Sequence, residues 1–356
     1  MHTFPKLIDG GAYPEGHVQG IAVDEKNGFV YYSFTTSLVK TDLAGRLIGS
    51  VEGLTGHLGC IDFNPENGRV YGSLEYKNDA IGQGIFARLG KNGAPAENAF
   101  YIAVFDVSRI AAPHMDAERD GLMKTVYLPD VVADFEGEGE EGKPHRLACS
   151  GCDGLAFGPV FGADANSPRM LMLAYGIYGD IDRADNDNQV ILQYDWRTFD
   201  KYAAPLLQQA PHHKGPAADA RYFAFTGNTR WGVQNLCYDP ATRHWLLFVY
   251  RGQKPQYPNH ALYLFDGAKV PKTAPVRGLN GEIGLHLCPA EDGILHEECG
   301  VRGFDMDLGQ YGVHAFGDGR FYIAHPYRET EPQKRHGARV HLYRYTGNAP
   351  TGFEML

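Results

Sequence analysis

Glu75 and Asp153 are the acidic residues whose positions best suit acid–base chemistry. Glu75 lies near the end of the β-rich segment RVYGSLEY, and Asp153 lies near the start of the segment CDGLAFGP. Cleavage of a glycosidic bond uses two carboxyl groups that face the bond, one protonated and one ionised. We therefore interpret the two residues as the acid/base pair of a glycosidase-like hydrolase that acts on a carbohydrate or a similar polar small molecule.

Three histidines indicate a different chemistry. His17 and His57 precede two equivalent β-rich segments by the same spacing, and His325 ends a third segment. Three imidazoles with an open coordination position suit a catalytic metal, and one imidazole alone suits a general base. Hydrogen bonds to loop backbone would explain the same histidines without any chemistry. A metal-dependent lyase or lactonase that uses this cluster is the alternative function.

Arginine and aromatic residues in the same segments indicate an anionic ligand. Guanidinium groups bind carboxylate, sulfate or phosphate through paired hydrogen bonds, and aromatic faces stack on sugar rings. The candidate substrate-binding residues are Tyr76, Tyr175, Trp231, Arg251, Arg302 and Arg328. Surface ion pairs would explain scattered arginines equally well. The predicted partner is a small molecule or an oligosaccharide, for example one that carries a uronic or sialic sugar.

Calcium is a second cation that the sequence accommodates. Residues 180–188 are rich in oxygen ligands but lack the glycine and the terminal glutamate of an EF-hand loop, so a solvated turn competes with a calcium loop. Gln19, Asp153 and Gln234 occupy equivalent positions in three segments and could bind an ion together. The cofactor prediction is therefore one divalent metal, either calcium or a transition metal.

These side chains are far apart in sequence, and a repeated pattern predicts the scaffold that brings them together. A β-rich segment, a turn and further β-rich segments recur five times, and the third segments end in the analogous VKTD, VFDV, QYDW, LFDG and YRYT. The repeats begin near His17, His57, Cys152, Val233 and Gly312. Apolar alternation bounded by turn residues predicts antiparallel hairpins, and four such strands form one propeller blade.

The predicted fold is therefore an all-β, five-bladed β-propeller that occupies residues 1–356 as a single domain. A six-bladed propeller is the alternative, if the long insertion before Gly312 contains another blade. Residues 353–356 are predicted to supply the outer strand of the last blade, because joining the two ends of the chain removes open sheet edges.

Composition and charge narrow the function further. The formal net charge of -10 argues against a nucleic-acid partner and against an anionic membrane surface. The start of the sequence lacks a signal-peptide pattern, and no run of 18 apolar residues occurs, which predicts a soluble, cytoplasmic protein with a secreted mature form as the alternative. The loops differ in length and chemistry, which favours one asymmetric site over a lectin-like or scaffolding propeller. The oligomeric state is not predicted.

The blade pattern of a short first strand, an Asx turn and then VYY or VYG resembles the blades of NHL and SMP-30-like propellers. The likeness extends over nearly the whole chain, but the metal-ligand motif of the SMP-30-like lactonases is not matched residue by residue. The blade count instead resembles that of furanosidase-type glycoside hydrolases, in which carboxylates from different blades meet in a central pocket. Neither resemblance transfers a catalytic residue, since fold does not imply function.

Overall fold

Each of the five repeats forms one sheet, and the five sheets surround a central channel. The computed structural model describes residues 2–356, apart from the side chain of Glu140. The first strands of neighbouring blades contact one another along the channel, as in a propeller. Over the described residues the architecture is a five-bladed β-propeller, which confirms the five-blade prediction over the six-bladed alternative.

The first three blades each contain at least four strands. Blade 1 is formed by the strands Val18–Asp24, Phe29–Phe34, Ser37–Asp42, Leu47–Glu52 and Met115–Asp116. Blade 2 is formed by the strands His57–Asn64, Arg69–Tyr76, Ala99–Phe105, Met123–Tyr127 and Ala204–Pro205. Blade 3 is formed by the strands Cys149–Gly158, Met170–Ile177, Asn188–Tyr194, Ala220–Phe225, Ile283–His286 and Lys272–Pro275.

Blades 4 and 5 complete the ring. Blade 4 is formed by the strands Thr229–Asp239, His244–Arg251 and Leu262–Asp266. The strands Ile294–His296 and Val301–Gly303 form a separate hairpin beside it, connected through a bridge between Leu262 and Phe304. Blade 5 is formed by the strands Val313–Ala315, Arg320–Glu329, Arg335–Tyr345, Leu7–Tyr13 and Phe353–Met355.

Both ends of the chain close the ring in blade 5. The strand Phe353–Met355 pairs with the end of Arg335–Tyr345, as expected for residues 353–356. The strand Leu7–Tyr13 pairs with the earlier part of the same strand, from His336 to His341, and is the longer of the two. The closure prediction is thus confirmed for the C-terminal residues, and the N-terminal strand contributes more of the edge.

Two α-helices interrupt the strands. Helix α1 (Ala80–Arg88) follows the second strand of blade 2, and helix α2 (Pro129–Glu136) precedes blade 3. The Asp79 side chain caps α1 by accepting hydrogen bonds from the backbone N–H groups of Ile81 and Gly82. Short 3₁₀ turns occur at Val107–Arg109, Glu140–Gly142, Arg146–Ala148, Trp196–Lys201 and Gly309–Tyr311. Within residues 2–356, no helix is long and apolar enough to cross a membrane.

Glycines in the first strands allow the blades to approach the axis closely. A Cβ atom on Gly59 would lie 2.9 Å from Asp153 Oδ1, and a Cβ atom on Gly20 would lie 2.9 Å from the backbone nitrogen of Ile61. A larger residue at either position would push neighbouring blades apart. The spacing of the repeats around the channel therefore depends on these small residues, and so does the position of Asp153.

Candidate functional site

A cavity of about 830 Å³ opens at one end of the channel. Its wall comes from blades 1 to 4, from helix α1 and from the segment before blade 5. Polar and charged lining residues are His17, Gln19, Thr35, His57, Glu75, Lys77, Arg88, Ser150, Asp153, Arg230, Gln234, Arg251 and Asp307. Aromatic and apolar lining residues are Ala80, Ile81, Gly84, Ile85, Trp231 and Tyr250.

The predicted residues that line this cavity are Glu75, Asp153, His17, His57, Trp231 and Arg251. Strand pairing explains why two of them meet, because His57 and Glu75 lie directly opposite each other on the first two strands of blade 2. Asp153 reaches them from blade 3, where its strand bulges between Cys152 and Leu155. A bulge re-aims side chains locally, and this one directs Asp153 toward blade 2.

His57, Glu75 and Asp153 form a cluster at the base of the cavity. His57 Nδ1 lies 3.5 Å from Glu75 Oε2 and 3.6 Å from Asp153 Oδ1. Each of the three residues has one potential metal-ligand atom, and these three atoms lie within 4.8 Å of one another. The cluster therefore places two carboxyl groups and one imidazole in direct electrostatic contact.

Glu75 is held on both carboxylate oxygens. Its Oε1 accepts a 2.6 Å hydrogen bond from the backbone N–H of Cys152, and its Oε2 lies 2.9 Å from Lys77 Nζ. Lys77 also donates to the backbone oxygen of Ser150 at 2.6 Å. Burial favours a higher pKa for Glu75, but the positive charge of Lys77 and the contact with His57 outweigh it, so the pKa is lowered. Glu75 is consequently a fixed, ionised carboxylate.

Asp153 has the opposite electrostatic character. Burial and then the negative charge of Glu75 raise the pKa of Asp153 to about 6. Its Oδ2 accepts a 3.1 Å hydrogen bond from Gln234 Nε2. Two neighbouring carboxyl groups whose pKa values are driven apart form the usual basis for an acid/base assignment.

His57 has one nitrogen in the cluster and retains some exposure. Its Nδ1 is buried and has no hydrogen-bond partner among the described residues, because both carboxylates lie just beyond hydrogen-bond distance. The side chain is 12% exposed, and since Nδ1 is buried, this exposure belongs to other ring atoms on the cavity side. Part of the ring therefore borders the cavity.

The same three residues could hold a divalent cation. Two ligand atoms bonded to one tetrahedral ion at about 2.1 Å lie roughly 3.4 Å apart, which is close to the observed 3.5 and 3.6 Å separations. The buried Nδ1 of His57 has no hydrogen-bond partner among the described residues, so it is available to coordinate such an ion. The ammonium group of Lys77 already occupies one position on Glu75 Oε2 and would compete with the ion.

The predicted three-histidine metal centre is not formed. His325 lies on blade 5, where its Nε2 and the Tyr343 hydroxyl are 2.8 Å apart and its ring packs on His341 at 4.2 Å between centroids. His17 lines the cavity, but its Nε2 contacts Gln19 at 3.1 Å. Within residues 2–356, one group of histidine and acidic side chains has metal-binding spacing. Of the three histidines, it contains only His57. His325 does not join this group because its side chain packs against other residues of blade 5.

Three of the predicted substrate-binding residues lie outside the cavity. Tyr76 is buried and donates its hydroxyl hydrogen to Gln208, and Tyr175 is fully buried and donates to Asp134. Both tyrosines are core residues rather than stacking platforms for a sugar. Arg302 donates to the backbone oxygen of Gly293 in the hairpin beside blade 4. The structure thus places all three residues away from the cavity that contains Glu75 and Asp153.

The other three predicted substrate-binding residues differ in availability. Trp231 lines the cavity and has a φ angle of 67°, a left-handed conformation that a bulky residue adopts only when its surroundings impose it. Arg251 lies at the cavity edge but is neutralised by Asp305 at 2.8 Å and Asp307 at 2.7 Å. Arg328 is exposed and lines an adjoining cavity.

Residues 180–188 divide into two parts. Residues 180–182 and 184 are exposed, as expected for a solvated turn, whereas Asp185 and Asp187 are buried. Asp187 is buried and lies 2.6 Å from Lys254 Nζ, and it also accepts a hydrogen bond from Tyr257. Asp185 is buried against Arg183 at 2.7 Å. Cations of the chain itself therefore neutralise these carboxylates.

The proposed channel-ion residues Gln19, Asp153 and Gln234 do line one cavity. Gln234 is bonded to Asp153, whereas Gln19 contacts His17 and donates to Thr35 at 3.3 Å. Their side chains are thus engaged with protein partners. The binding of an ion there stays a prediction.

Sequence reasoning missed Lys77 and Arg88 as site residues. Lys77 follows Glu75 by two positions, and this spacing places both side chains on the same face at the end of a strand. That signal was available. Arg88 reaches the cavity because α1 folds back over it, and a local pattern carries no information on that.

No protein-family model matches the sequence, and no curated protein matches it. The resemblance to NHL and SMP-30-like blades therefore remains one of repeat pattern. Among solved structures, the chain is similar to the soluble aldose sugar dehydrogenase from Escherichia coli in its apo-form. That similarity has a TM-score of 0.39 and 10% sequence identity, and it covers 94% of this chain and 98% of that chain. A likeness of this size carries no argument about the reaction.

Proposed function

We propose that this protein is a hydrolase that acts on an anionic carbohydrate or a similar polar small molecule in the central cavity. The supporting observation is the position of His57, whose Nδ1 faces Glu75 and Asp153 while the ring borders the cavity. A histidine with one nitrogen beside a carboxylate and the other facing the substrate space is an arrangement that suits a general base.

The carboxyl groups support this role in different ways. Glu75 and Asp153 have oxygen atoms within 4.8 Å of each other. Lys77 already neutralises Glu75 at 2.9 Å, whereas Asp153 faces the imidazole of His57 at 3.6 Å. We therefore assign Asp153 to stabilise the imidazolium form of His57, and Glu75 with Lys77 to provide a fixed charge pair. The direct acid/base pair of Glu75 and Asp153 expected from the sequence stays an alternative prediction.

In the proposed reaction His57 Nε2 accepts a proton from a water molecule in the cavity. The water oxygen attacks the electrophilic carbon of the substrate, and the bond from this carbon to the leaving oxygen breaks. The proton then passes from His57 to the leaving oxygen, which restores the neutral imidazole. Ionised Asp153 beside Nδ1 stabilises the imidazolium that forms between these two steps.

The charge around the cavity favours an anionic substrate. Arg88 and Arg230 line the cavity and form no ion pair with any described residue, unlike Arg251. Guanidinium groups without a carboxylate partner are available for a carboxylate, sulfate or phosphate on a ligand. The rings of Trp231 and Tyr250 provide flat apolar surface beside them. This combination suits an acidic sugar.

The test compares His57→Gln and Asp153→Asn with the wild-type protein on a panel of uronic and neutral oligosaccharides, with products measured by mass spectrometry. Loss of general-base catalysis should reduce the rate by about 10²–10⁴-fold. His325→Gln is the matched control, because that imidazole lies outside the cavity. Wild-type rates in both the His57 and the Asp153 variants would rule the proposal out.

A metal-dependent lyase or lactonase is the second candidate. It is favoured by the unpaired Nδ1 of His57 and by the spacing of the three potential ligands. Inductively coupled plasma mass spectrometry on protein purified without chelator, beside an EDTA-treated sample, tests it. A stoichiometric metal that is absent from Asp153→Asn would favour this candidate, and metal-free active protein would remove it. An unsaturated uronate product, detected by its ultraviolet absorbance, would distinguish a lyase from a hydrolase.

A further inference from the structure

A second cavity adjoins the site on the side of blade 5. Its volume is about 490 Å³, and it shares His17 and Tyr250 with the central cavity. Because they share these two wall residues, the two spaces are neighbours, and we refer to them together as the cleft. The remaining lining residues are Tyr311, Pro326, Tyr327, Arg328 and His336.

The chemistry of this second cavity matches that of the central one. Arg328 is exposed and forms no ion pair with any described residue, as is also true of Arg88 and Arg230. The rings of Tyr250 and Tyr311 lie 6.2 Å apart between centroids, at an angle of 71°. Each part of the cleft thus combines aromatic surface with an available guanidinium group.

A third, smaller cavity adjoins the central one beside blades 3 and 4. Its volume is about 230 Å³, and it shares Arg230 and Trp231 with the central cavity. Its other lining residues include Asn228 and Gln253. The cavity that contains the His57 cluster therefore adjoins one further cavity on the side of blade 5 and another beside blades 3 and 4.

We propose that the site binds an acidic oligosaccharide in an extended form, with one sugar unit over the His57 cluster and further units in the blade 5 cavity beside Arg328. This inference rests on the proposed function and names its substrate class. Repeated anionic groups along the ligand account for guanidinium groups in successive sections of the cleft. The aromatic lining favours sugar rings over an acidic peptide.

Isothermal titration calorimetry tests the proposal on the His57→Gln variant, which keeps the ligand from being consumed. The probes are galacturonic acid, its dimer and its tetramer, with a chondroitin sulfate tetrasaccharide, maltotetraose and tetraglutamate for comparison. Affinity should rise at least tenfold from the single unit to an acidic tetrasaccharide, and maltotetraose should bind weakly. The tighter of the two acidic tetrasaccharides identifies the anionic group.

Arg328→Gln, made in the same background, should abolish this gain with length and leave the affinity for the single unit unchanged. Arg302→Gln is the matched control, because its side chain lies in the hairpin beside blade 4, and it should bind all probes as before. An affinity that does not depend on length, or an equal loss for all lengths in Arg328→Gln, would overturn the extended site and leave the proposed function intact. Preferred binding of tetraglutamate would overturn the choice of an oligosaccharide. Failure of every acidic sugar to bind would overturn the substrate class itself.

Discussion

Asp153→Asn should stabilise the protein at neutral pH while it removes the proposed activity. Burial and the charge of Glu75 raise the folded-state pKa of Asp153 from 3.8 to about 6. The native state therefore binds more protons than the unfolded state between about pH 4 and pH 6, and stability falls as pH rises through this range. A shift of about two units corresponds to roughly 3 kcal/mol, since one unit is about 1.4 kcal/mol. Asparagine cannot ionise, so the variant escapes this loss.

Urea unfolding followed by tryptophan fluorescence, in buffers that contain EDTA, measures the effect. The variant should exceed the wild-type free energy of unfolding by about 2–3 kcal/mol at pH 7.5, and about half of this difference should disappear at pH 5. Asp116→Asn is a control of opposite sign. The backbone N–H of Arg119 lowers the pKa of Asp116 against a smaller effect of burial, so its loss should destabilise the protein at pH 7.5.

Two results would contradict this reasoning. The first is an Asp153→Asn variant that is no more stable than the wild type at pH 7.5. The second is a stability difference that stays constant between pH 5 and pH 7.5. Either result would mean that Asp153 is not held in an environment that disfavours its charge.

Three further predictions follow from the same cluster and from the ring closure. Lys77→Met should lower the free energy of unfolding by about 3–5 kcal/mol, because it leaves Glu75 as a buried unpaired charge, and adding Glu75→Gln should restore most of it in urea unfolding; no recovery would contradict the pairing. The value of kcat/KM should fall as the pH drops below about 6, because only ionised Asp153 stabilises the His57 imidazolium, and a flat pH profile would refute this role. Deleting residues 2–13 should lower Tm or prevent folding, because blade 5 loses its longer edge strand, and an unchanged Tm by calorimetry would exclude this closure.

The blades and the convergence of the first-strand residues could be predicted from the sequence. Strand alternation and turn residues are local signals, and a ring of similar repeats requires equivalent positions to face the same channel. His57 and Asp153 occupy such positions on the first strands of blades 2 and 3, and Glu75 joins them because it pairs with His57 from the second strand of blade 2. The same alternation also shows why Tyr76 was a poor choice, because it lies between Glu75 and Lys77 and points to the opposite face.

Only the tertiary structure decided which charged groups are neutralised by a partner and which carboxyl group resists ionisation. Arg251 is neutralised by Asp305 and Asp307, which lie more than 50 residues further along the chain. Arg88 enters the cavity because α1 folds over it, and Asp153 resists ionisation because a buried carboxylate from another blade lies beside it. Periodicity in a sequence reports which face a residue occupies. Ion pairing and pKa depend on distances between distant segments and on the exclusion of water, and these exist only once the ring has closed.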